Sequence, residues 1–363
     1  MRYYYILFFI SIILSPLLVF KKNNDLYGRI LVSKRNIKKA YLFVVFTFIS
    51  MLIGLRGIDV GKDTYAYIFH YFYEVKNNAV FRDSLEITIN IIAWISLQFS
   101  SNYQLFLIIN GVLIALLFSK FIFNNSENVF LSTVIFLGMF FIQSMNLMRE
   151  WLAIGFGINA LTLIRKGKKK SALLLILISI STHITAISLL LIPLLGIIKN
   201  KRKGLLIIFI FCASFFLAKD YILDMIVSAV PKYYGYVNNP YFLNEGGFNI
   251  KDLIFICIEI FYLYLIFFKT KVISVVDYNK YCENAALLLI AITFSLSGQK
   301  FGIVHRLVYY YSVFLIISLP EVIAKMKMKK LISAVLVVAM FVMLFRNSYF
   351  DNNGISNYYF FWQ

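Results

Sequence analysis

The chain has 363 residues, of which 61% are hydrophobic and only 15% are charged, and its mean hydropathy is +0.80. A soluble domain carries about a quarter charged residues, so this composition excludes an ordinary soluble protein. The formal net charge is +19, but Lys and Arg collect in short clusters between apolar runs, as in the cytoplasmic loops of membrane proteins. We therefore expect contacts with membrane lipids and no nucleic-acid partner.

The basic clusters fix the predicted topology when they are placed on the cytoplasmic side. An apolar run at 3–20 predicts a first helix that enters the cytoplasm, and residues 41–55 predict a second helix that crosses back. The stretch "GLRGIDVGKDTYAY", at 54–67, then lies at the outer face.

Four apolar runs follow between this stretch and the basic cluster "RKGKKK", at 85–99, 105–123, 129–142 and 151–164. An odd number of them must cross if "RKGKKK" is cytoplasmic. The run at 85–99 is short and carries Glu86, Thr88 and Asn90, so we expect it to dip into the outer face without crossing. The segment "NLMREW", with Arg149 and Glu150, then also lies outside.

The run "SALLLILISISTHITAISLLLIPLLGII", at 171–198, has basic residues on both flanks. Two short helices that meet at "STH" would keep both flanks in the cytoplasm, so we predict a helical hairpin with His183 near its outer tip. Such a turn is tolerated only where protein or a wet cavity covers it.

The remaining apolar runs complete an all-α polytopic membrane protein with roughly 10–14 transmembrane helices of about 20 residues or fewer. We predict a single integral membrane domain over 1–363, with an external segment at 56–102 that holds the motif and the dipping helix. A second external loop is predicted at 219–251, and the catalytic cavity is predicted to open at the external face.

Several ionisable side chains share the outer side in this topology, where such groups are costly and tend to be functional or paired. Arginine suits phosphate because it donates two parallel hydrogen bonds, so three arginines on separate helices predict a diphosphate site. They are Arg56, Arg149 and Arg306.

Each of these residues also has a structural alternative. Arg56 and Arg306 would reach lipid headgroups from helix ends, and Arg149 and Glu150 would pair with each other or with neighbours. Asp59 and Asp63 would cap the helix that begins at "DTYAY", and His183 would be a satisfied buried histidine.

The sequence offers no cofactor or metal motif. The three cysteines are isolated, no pair of histidines has ligand spacing, and no Walker A motif is present. Tyrosines in the external loop, among them Tyr234 and Tyr241, offer stacking faces for sugar rings, although a membrane interface attracts the same residues. We therefore expect neither a metal nor a cofactor.

Five short pieces occur in a characteristic order: "LRGIDVGKDTYAY", "NLMREWLAI", "STHITAISLLLIPL", "YVNNPYF" and "HRLVYYYSVFLIISLP". In this order the chain resembles the EpsG family of bacterial exopolysaccharide proteins, which is similar to the Wzy-type polymerases of O-antigen and capsule. The pieces span roughly 56–320. One departure is Glu150, where the family has glutamine, so this residue is either a substrate contact of its own or a structural partner.

The resemblance implies a multi-pass enzyme of the bacterial cytoplasmic membrane with its active site facing the exterior. Such an enzyme moves a growing glycan from undecaprenyl diphosphate onto a lipid-linked repeat unit, so lipid-linked oligosaccharides are both donor and acceptor. A chain-length regulator would be a further partner.

The residues receive provisional roles on this basis. Arg56, Arg149 and Arg306 are predicted to bind the diphosphate. His183 is the candidate base, because its unperturbed pKa of about 6.5 lies close to working pH. Asp59 or Asp63 is the alternative base, or a residue that orients Arg56. Four residues are predicted to contact substrate: Glu150, His305, Tyr234 and Tyr241.

Three other functions stay open from the sequence. A flippase or polysaccharide exporter would need polar groups along a path across the bilayer, and internal repeats would support it. A ligase that uses another acceptor shares the donor chemistry. A membrane acyltransferase would need a buried histidine with a carboxylate or a second histidine along an internal tunnel that opens to the acyl-CoA side.

Overall fold

The computed structural model describes residues 1–19, 34–78, 86–192, 201–229, 250–264, 267–268, 275–298, 302–350 and 353–363. Helices dominate these ranges, and their only β-type pairing is an isolated antiparallel bridge between Arg56 and Phe360. The all-α class is thereby confirmed.

Sixteen α-helices are labelled here in chain order. They are α1 (Arg2–Ile13), α2 (Lys34–Gly54), α3 (Thr64–Tyr67), α4 (Glu74–Asn78), α5 (Ile87–Phe99), α6 (Gln104–Asn125), α7 (Val129–Ile135), α8 (Phe141–Asn146), α9 (Met148–Arg165), α10 (Lys169–Thr182), α11 (Lys201–Ala229), α12 (Ile250–Tyr264), α13 (Val275–Ser297), α14 (Gly302–Ser312), α15 (Leu315–Ala324) and α16 (Lys329–Tyr349). The π-helical segments Ile68–Tyr73 and Phe136–Phe140 join α3 to α4 and α7 to α8. Short 3₁₀ helices cover Ser15–Val19 and Ile184–Leu190.

Six helical segments in the described part of the chain are long and apolar enough to cross a membrane. This finding confirms a polytopic membrane protein, whereas the larger number of crossings expected from the sequence stays a prediction. The six segments are Lys34–Gly54, Gln104–Asn125, Val129–Asn146, Lys203–Ile222, Arg306–Ala324 and Lys329–Tyr349.

Helix α5 has 13 residues and therefore a length of about 20 Å, less than the roughly 30 Å of a hydrocarbon core. This length agrees with a segment that dips into the outer face. Asn90 and Ser96 of α5, and Glu86 directly before it, are buried in protein. The polarity that makes the run a poor membrane helix is therefore used in packing.

The chain divides into two compact units, one of residues 1–187 and 328–363 and the other of residues 188–327. In the first unit α6 packs against both α2 and α9, and α9 packs against α10. Glycines allow the α2–α6 contact, because a Cβ added at Gly111 would lie 2.9 Å from the carbonyl oxygen of Ser50. Small residues permit such close helix crossings in membrane proteins.

The second unit is built around α13, which packs against α11 and α14. An ion pair of 2.7 Å joins Lys280 Nζ to Glu321 Oε1 within this unit. Helix α11 continues through Ala229, so the first part of the predicted loop at 219–251 is helical. The single-domain prediction and the external position of the loop stay predictions.

The predicted break at "STH" is present. Helix α10 ends at Thr182, and His183 has an extended backbone with φ −156° and ψ 125° before the 3₁₀ helix Ile184–Leu190 begins. The return arm beyond residue 192 lies outside the described residues until Lys201. The helix therefore ends where the sequence predicts, and it leaves the histidine at the end of α10.

Candidate active site

Arg56 lies at the end of α2 and is fully buried, with 0% of the residue exposed. Its Nε donates to Thr64 Oγ1 at 3.2 Å, Nη1 donates to the carbonyl oxygen of Ile53, and Nη2 contacts Met148 Sδ at 3.9 Å. Burial lowers the pKa of Arg56 to about 10, although nearby tyrosines raise it in part, so the side chain stays charged at neutral pH. Arg56 thus joins the ends of three helices, and a diphosphate contact would require one of these bonds to open.

The segment after Arg56 is held by the C-terminal tail. The backbone N–H groups of Gly57 and Gly61 donate to the carbonyl oxygens of Tyr359 and Gly354, at 3.0 and 2.7 Å. Gly61 has φ +95°, a conformation that favours glycine. A Cβ at Gly57 would overlap the ring of Tyr359. The glycines of the motif therefore serve the contact with the tail.

The two aspartates of the motif have different surroundings. Asp59 is exposed and accepts a hydrogen bond of 3.1 Å from Tyr359 OH. Asp63 occupies the N-cap position of α3, but its side chain makes no capping hydrogen bond; its carboxylate accepts from Tyr67 OH at 3.4 Å. The capping alternative for Asp63 is therefore wrong, because the carboxylate turns along the helix toward Tyr67.

We call α3 and the π-helical segment that continues it, Ile68–Tyr73, the motif helix. Asp63 at its N-cap, Tyr67 and Tyr71 share one face, because they follow one another at a spacing of four. The guanidinium carbon of Arg149 lies 5.0 Å from the ring centroid of Tyr67 and 5.1 Å from that of Tyr71. Both distances are within the range of a cation–π contact. The motif helix thus supplies an aromatic wall for an arginine of another segment.

Glu86 lies directly before α5, and its carboxylate contacts side chains from three other parts of the chain. Its Oε2 accepts from Tyr71 OH and pairs with Arg149 Nη1, while its Oε1 lies 2.6 Å from His183 Nδ1. The other ring nitrogen, His183 Nε2, lies 3.5 Å from Glu150 Oε1. We call the five residues Tyr71, Glu86, Arg149, Glu150 and His183 the Glu86 cluster.

The secondary structure explains why these side chains meet. α9 begins at Met148 and places Arg149 and Glu150 in its first turn. α10 packs against α9 and α5 and ends at His183. A hydrogen bond of 2.7 Å between Thr88 and Ser181 fixes α5 beside the end of α10. The cluster is therefore assembled from four separate parts of the chain.

The charges in the cluster stabilise one another. Burial alone would raise the pKa of Glu86, but the hydrogen bond from His183 and the charge of Arg149 outweigh it and lower the pKa to about 2. Burial alone would lower the pKa of Arg149, but Tyr67 and the carboxylates of Glu150 and Glu86 raise it well above its usual range. Glu86 and Arg149 are consequently an ionised pair at neutral pH.

Arg149 retains an unused edge. Its two hydrogen bonds to the described residues both leave from Nη1, and its Nε is buried without a hydrogen-bond partner there. About 18% of the side chain is exposed, in contrast to 2% for Glu86. A buried donor beside a partly exposed guanidinium is suited to an anionic ligand.

Four other predicted site residues belong to the second unit or lie outside the described residues. Arg306 lies half-buried in α14 of the second unit. The side chain of His305 and the whole of Tyr234 and Tyr241 lie outside the described residues. The three-arginine site therefore stays a prediction, and Arg149 is the arginine whose surroundings favour it.

Sequence reasoning missed Glu86 and the two tyrosines Tyr67 and Tyr71 as site residues. A signal for Glu86 was present, because a carboxylate in an otherwise apolar run at the membrane is costly and points to a partner or a function. The spacing of Tyr67 and Tyr71 was readable, but nothing in the sequence indicated that they face Arg149.

In the part of the chain that the structure describes, no group of three or more His, Cys, Asp or Glu side chains is arranged to hold a metal ion. The prediction of a metal-independent reaction stays a prediction.

A family model described as the EpsG family matches residues 39–360, which is nearly the whole chain. The comparison with curated proteins and the comparison with solved structures each gave no match.

Proposed function

Because the chain belongs to the EpsG family, we propose that it is a polysaccharide polymerase of the bacterial cytoplasmic membrane. In this proposal it moves a growing glycan from undecaprenyl diphosphate onto a lipid-linked repeat unit at the external face. The observation that carries the proposal is the meeting of Arg149 and His183 on the single carboxylate of Glu86. A cation for the leaving group and a base for the acceptor are the two groups that this transfer requires.

Arg149 is assigned to the diphosphate of the donor. When the bond between the sugar C1 and the diphosphate oxygen breaks, the oxygen keeps the electron pair and negative charge develops on the leaving group. A preorganised cation in a poorly solvated site stabilises such charge strongly. Arg149 is preorganised because two tyrosine rings and Glu86 hold its guanidinium.

His183 is assigned as the catalytic base. The acceptor hydroxyl forms its new bond to C1 while its proton passes to His183 Nε2, so that atoms and charges balance. The resulting imidazolium would lie between Glu86, 2.6 Å from Nδ1, and Glu150, 3.5 Å from Nε2. Glu150 Oε1 would then face the proton that Nε2 has received, which gives Glu150 a physical role in this chain.

Arg56 is assigned a supporting role beneath the site, because its contact with Met148 Sδ lies next to Arg149 in the sequence. Asp63 is placed on the same helix face as the tyrosines that hold Arg149. Neither residue needs to touch the reacting atoms in this proposal.

The test is reconstitution of the purified chain in proteoliposomes with a synthetic undecaprenyl-diphosphate-linked repeat unit. We expect a ladder of lengthened products, and His183→Gln should lower its rate by about 100-fold or more. His70→Gln is the matched control, because His70 forms an i,i+4 pair with Glu74 on a partly exposed helix face. Its rate should equal that of the wild type.

Other results would contradict the polymerase proposal. A single addition to a foreign acceptor would indicate a ligase. Translocation of the lipid-linked unit without any lengthening would indicate a flippase or exporter.

A further inference from the structure

The two carboxylate oxygens of Glu86 have different partners, although a single ion pair would be enough to balance its buried charge. One carboxylate oxygen faces the histidine, and the other faces both the arginine and a tyrosine hydroxyl. The residue is 2% exposed, so it touches the protein and not a substrate. Its influence on a reaction must therefore pass through its neighbours.

The direction of each hydrogen bond follows from the chemistry of the groups. An ionised carboxylate only accepts, so the contact with Glu86 Oε1 requires the proton of His183 to lie on Nδ1. An arginine only donates, so Tyr71 OH accepts from Arg149 Nη1 and gives its own proton to Glu86 Oε2. The proton on His183 Nδ1 and the proton of the Tyr71 hydroxyl then each have one assigned position.

We propose that Glu86 is a positioning residue that prepares the base and the leaving-group cation at the same time. It fixes His183 in the tautomer whose Nε2 carries the lone pair, so Nε2 is the nitrogen that takes a proton. It also engages Nη1 of Arg149, which leaves the other edge of the guanidinium for an anionic oxygen. That edge contains the buried Nε, which has no hydrogen-bond partner among the described residues.

The inference rests on the proposed function for its catalytic consequence, but the tautomer and the ion pair exist without substrate. A carboxylate that orients a catalytic histidine has a large effect on turnover and a small one on substrate binding, since the wrong tautomer cannot accept the proton. Loss of the Glu86 charge is thus expected to act mainly on kcat.

The experiment uses the full chain labelled with ¹⁵N-histidine in lipid nanodiscs. The signal of His183 is assigned by its loss in His183→Gln, among only three histidines. The wild type should show a protonated Nδ1 and an unprotonated Nε2. Glu86→Gln should produce a mixture of tautomers, and Glu74→Gln, beside His70, should leave the His183 signal unchanged.

The same variants are then compared by the kinetics of polymer formation. Glu86→Gln should lower kcat by about 100-fold or more, with KM changed less than about threefold. Glu86→Asp, which restores the charge on a shorter side chain, should recover part of kcat.

Three results would overturn the inference. They are a wild-type His183 protonated on Nε2, a Glu86→Gln variant with the wild-type tautomer, and a Glu86→Gln variant with unchanged kcat. If the wild type makes no polymer, the proposed function fails, whereas the wild-type tautomer still decides whether Glu86 positions the ring. The ¹⁵N measurement of the wild-type tautomer does not require any Glu86 variant to fold.

Discussion

Glu86 connects stability to chemistry at the scale of single residues. Its pKa of about 2 in the folded chain lies below the ordinary value of 4.5 because the hydrogen bond from His183 and the charge of Arg149 outweigh the effect of burial. A carboxyl group whose pKa is lowered by folding stabilises the folded state only while it is ionised. Its contribution is complete above the unfolded pKa and is lost as the pH falls toward the folded pKa.

This linkage predicts a pH-dependent difference between the wild type and Glu86→Gln. The wild type should have the higher Tm, by a constant margin, above about pH 5, and the margin should narrow as the pH falls from about 4.5 toward about 2. Thermal unfolding of the detergent-purified proteins along this pH series is the measurement. A margin that is the same at pH 7 and pH 3 would mean that the carboxylate charge does not stabilise the fold.

Three of the five residues of the Glu86 cluster are predicted from the sequence. Arg149, Glu150 and His183 were predicted to share the outer side, because they are ionisable residues at helix ends in an apolar chain. Glu86 serves in the sequence only as an argument that the run at 85–99 does not cross the membrane. Its partners lie 63 and 97 positions away in the sequence, and local patterns carry no information about contacts at such separations.

At the scale of elements, the turn after α2 shows how local sequence and distant packing combine. The glycines in "GLRGIDVG" indicate unusual backbone, and Gly61 indeed has a positive φ. Their partner is the C-terminal tail, about 300 residues away in the sequence, which no local pattern indicates. Tyr358 OH donates to the carbonyl oxygen of Leu52, and Phe361 N–H donates to that of Leu55.

A comparison of Gly61, in this turn, with Gly167, between α9 and α10, separates the effect of backbone strain from that of crowding. Gly61→Ala and Gly167→Ala each place alanine at a positive φ, at a cost of about 1–2 kcal/mol. A Cβ at Gly61 would also lie 2.8 Å from Thr64 Oγ1, which accepts a hydrogen bond from Arg56, whereas a Cβ at Gly167 meets nothing within 4 Å.

We therefore expect Gly61→Ala to lower the Tm clearly more than Gly167→Ala, and to slow polymer formation as well. The comparison needs only thermal unfolding and a rate assay on the two variants. Equal losses of Tm would show that the contact between Thr64 and Arg56 adds nothing to the stability of the turn.

The helix break at His183 was readable from the sequence for a physical reason. A 28-residue apolar run with basic residues on both flanks cannot cross once and keep both flanks inside. Such an argument locates a break, but it does not show what the residue at the break touches. The 2.6 Å contact between His183 and Glu86 required the packing of α10 against α5.

At the scale of the whole molecule, composition indicates a helical membrane protein, and the family model identifies the family to which it belongs. An apolar, helical chain with six candidate membrane spans in its described part belongs to the EpsG family over residues 39–360. The first unit alone contains the Glu86 cluster. Arg306 belongs to the second unit, so its predicted share in diphosphate binding is a question for kinetics.

The positions of the ionisable groups in the Glu86 cluster also help to separate a transferase from an exporter. These groups gather around one buried carboxylate at the starts of α5 and α9 and the end of α10. A path for an exported glycan would need polar groups along the length of its helices. A compact cluster that joins a cation and a base is more typical of a transferase.

The most direct measurement of the central claim is the release of undecaprenyl diphosphate from a synthetic lipid-linked repeat unit by the reconstituted wild type and by Arg149→Ala. The wild type should release about one lipid diphosphate for each linkage formed. Arg149→Ala should do so about 100-fold or more slowly, because it lacks the cation that stabilises the leaving group. Arg346→Ala, an arginine in the last turn of α16, should match the wild type. Equal rates for Arg149→Ala and the wild type, in proteins of similar Tm, would contradict the account.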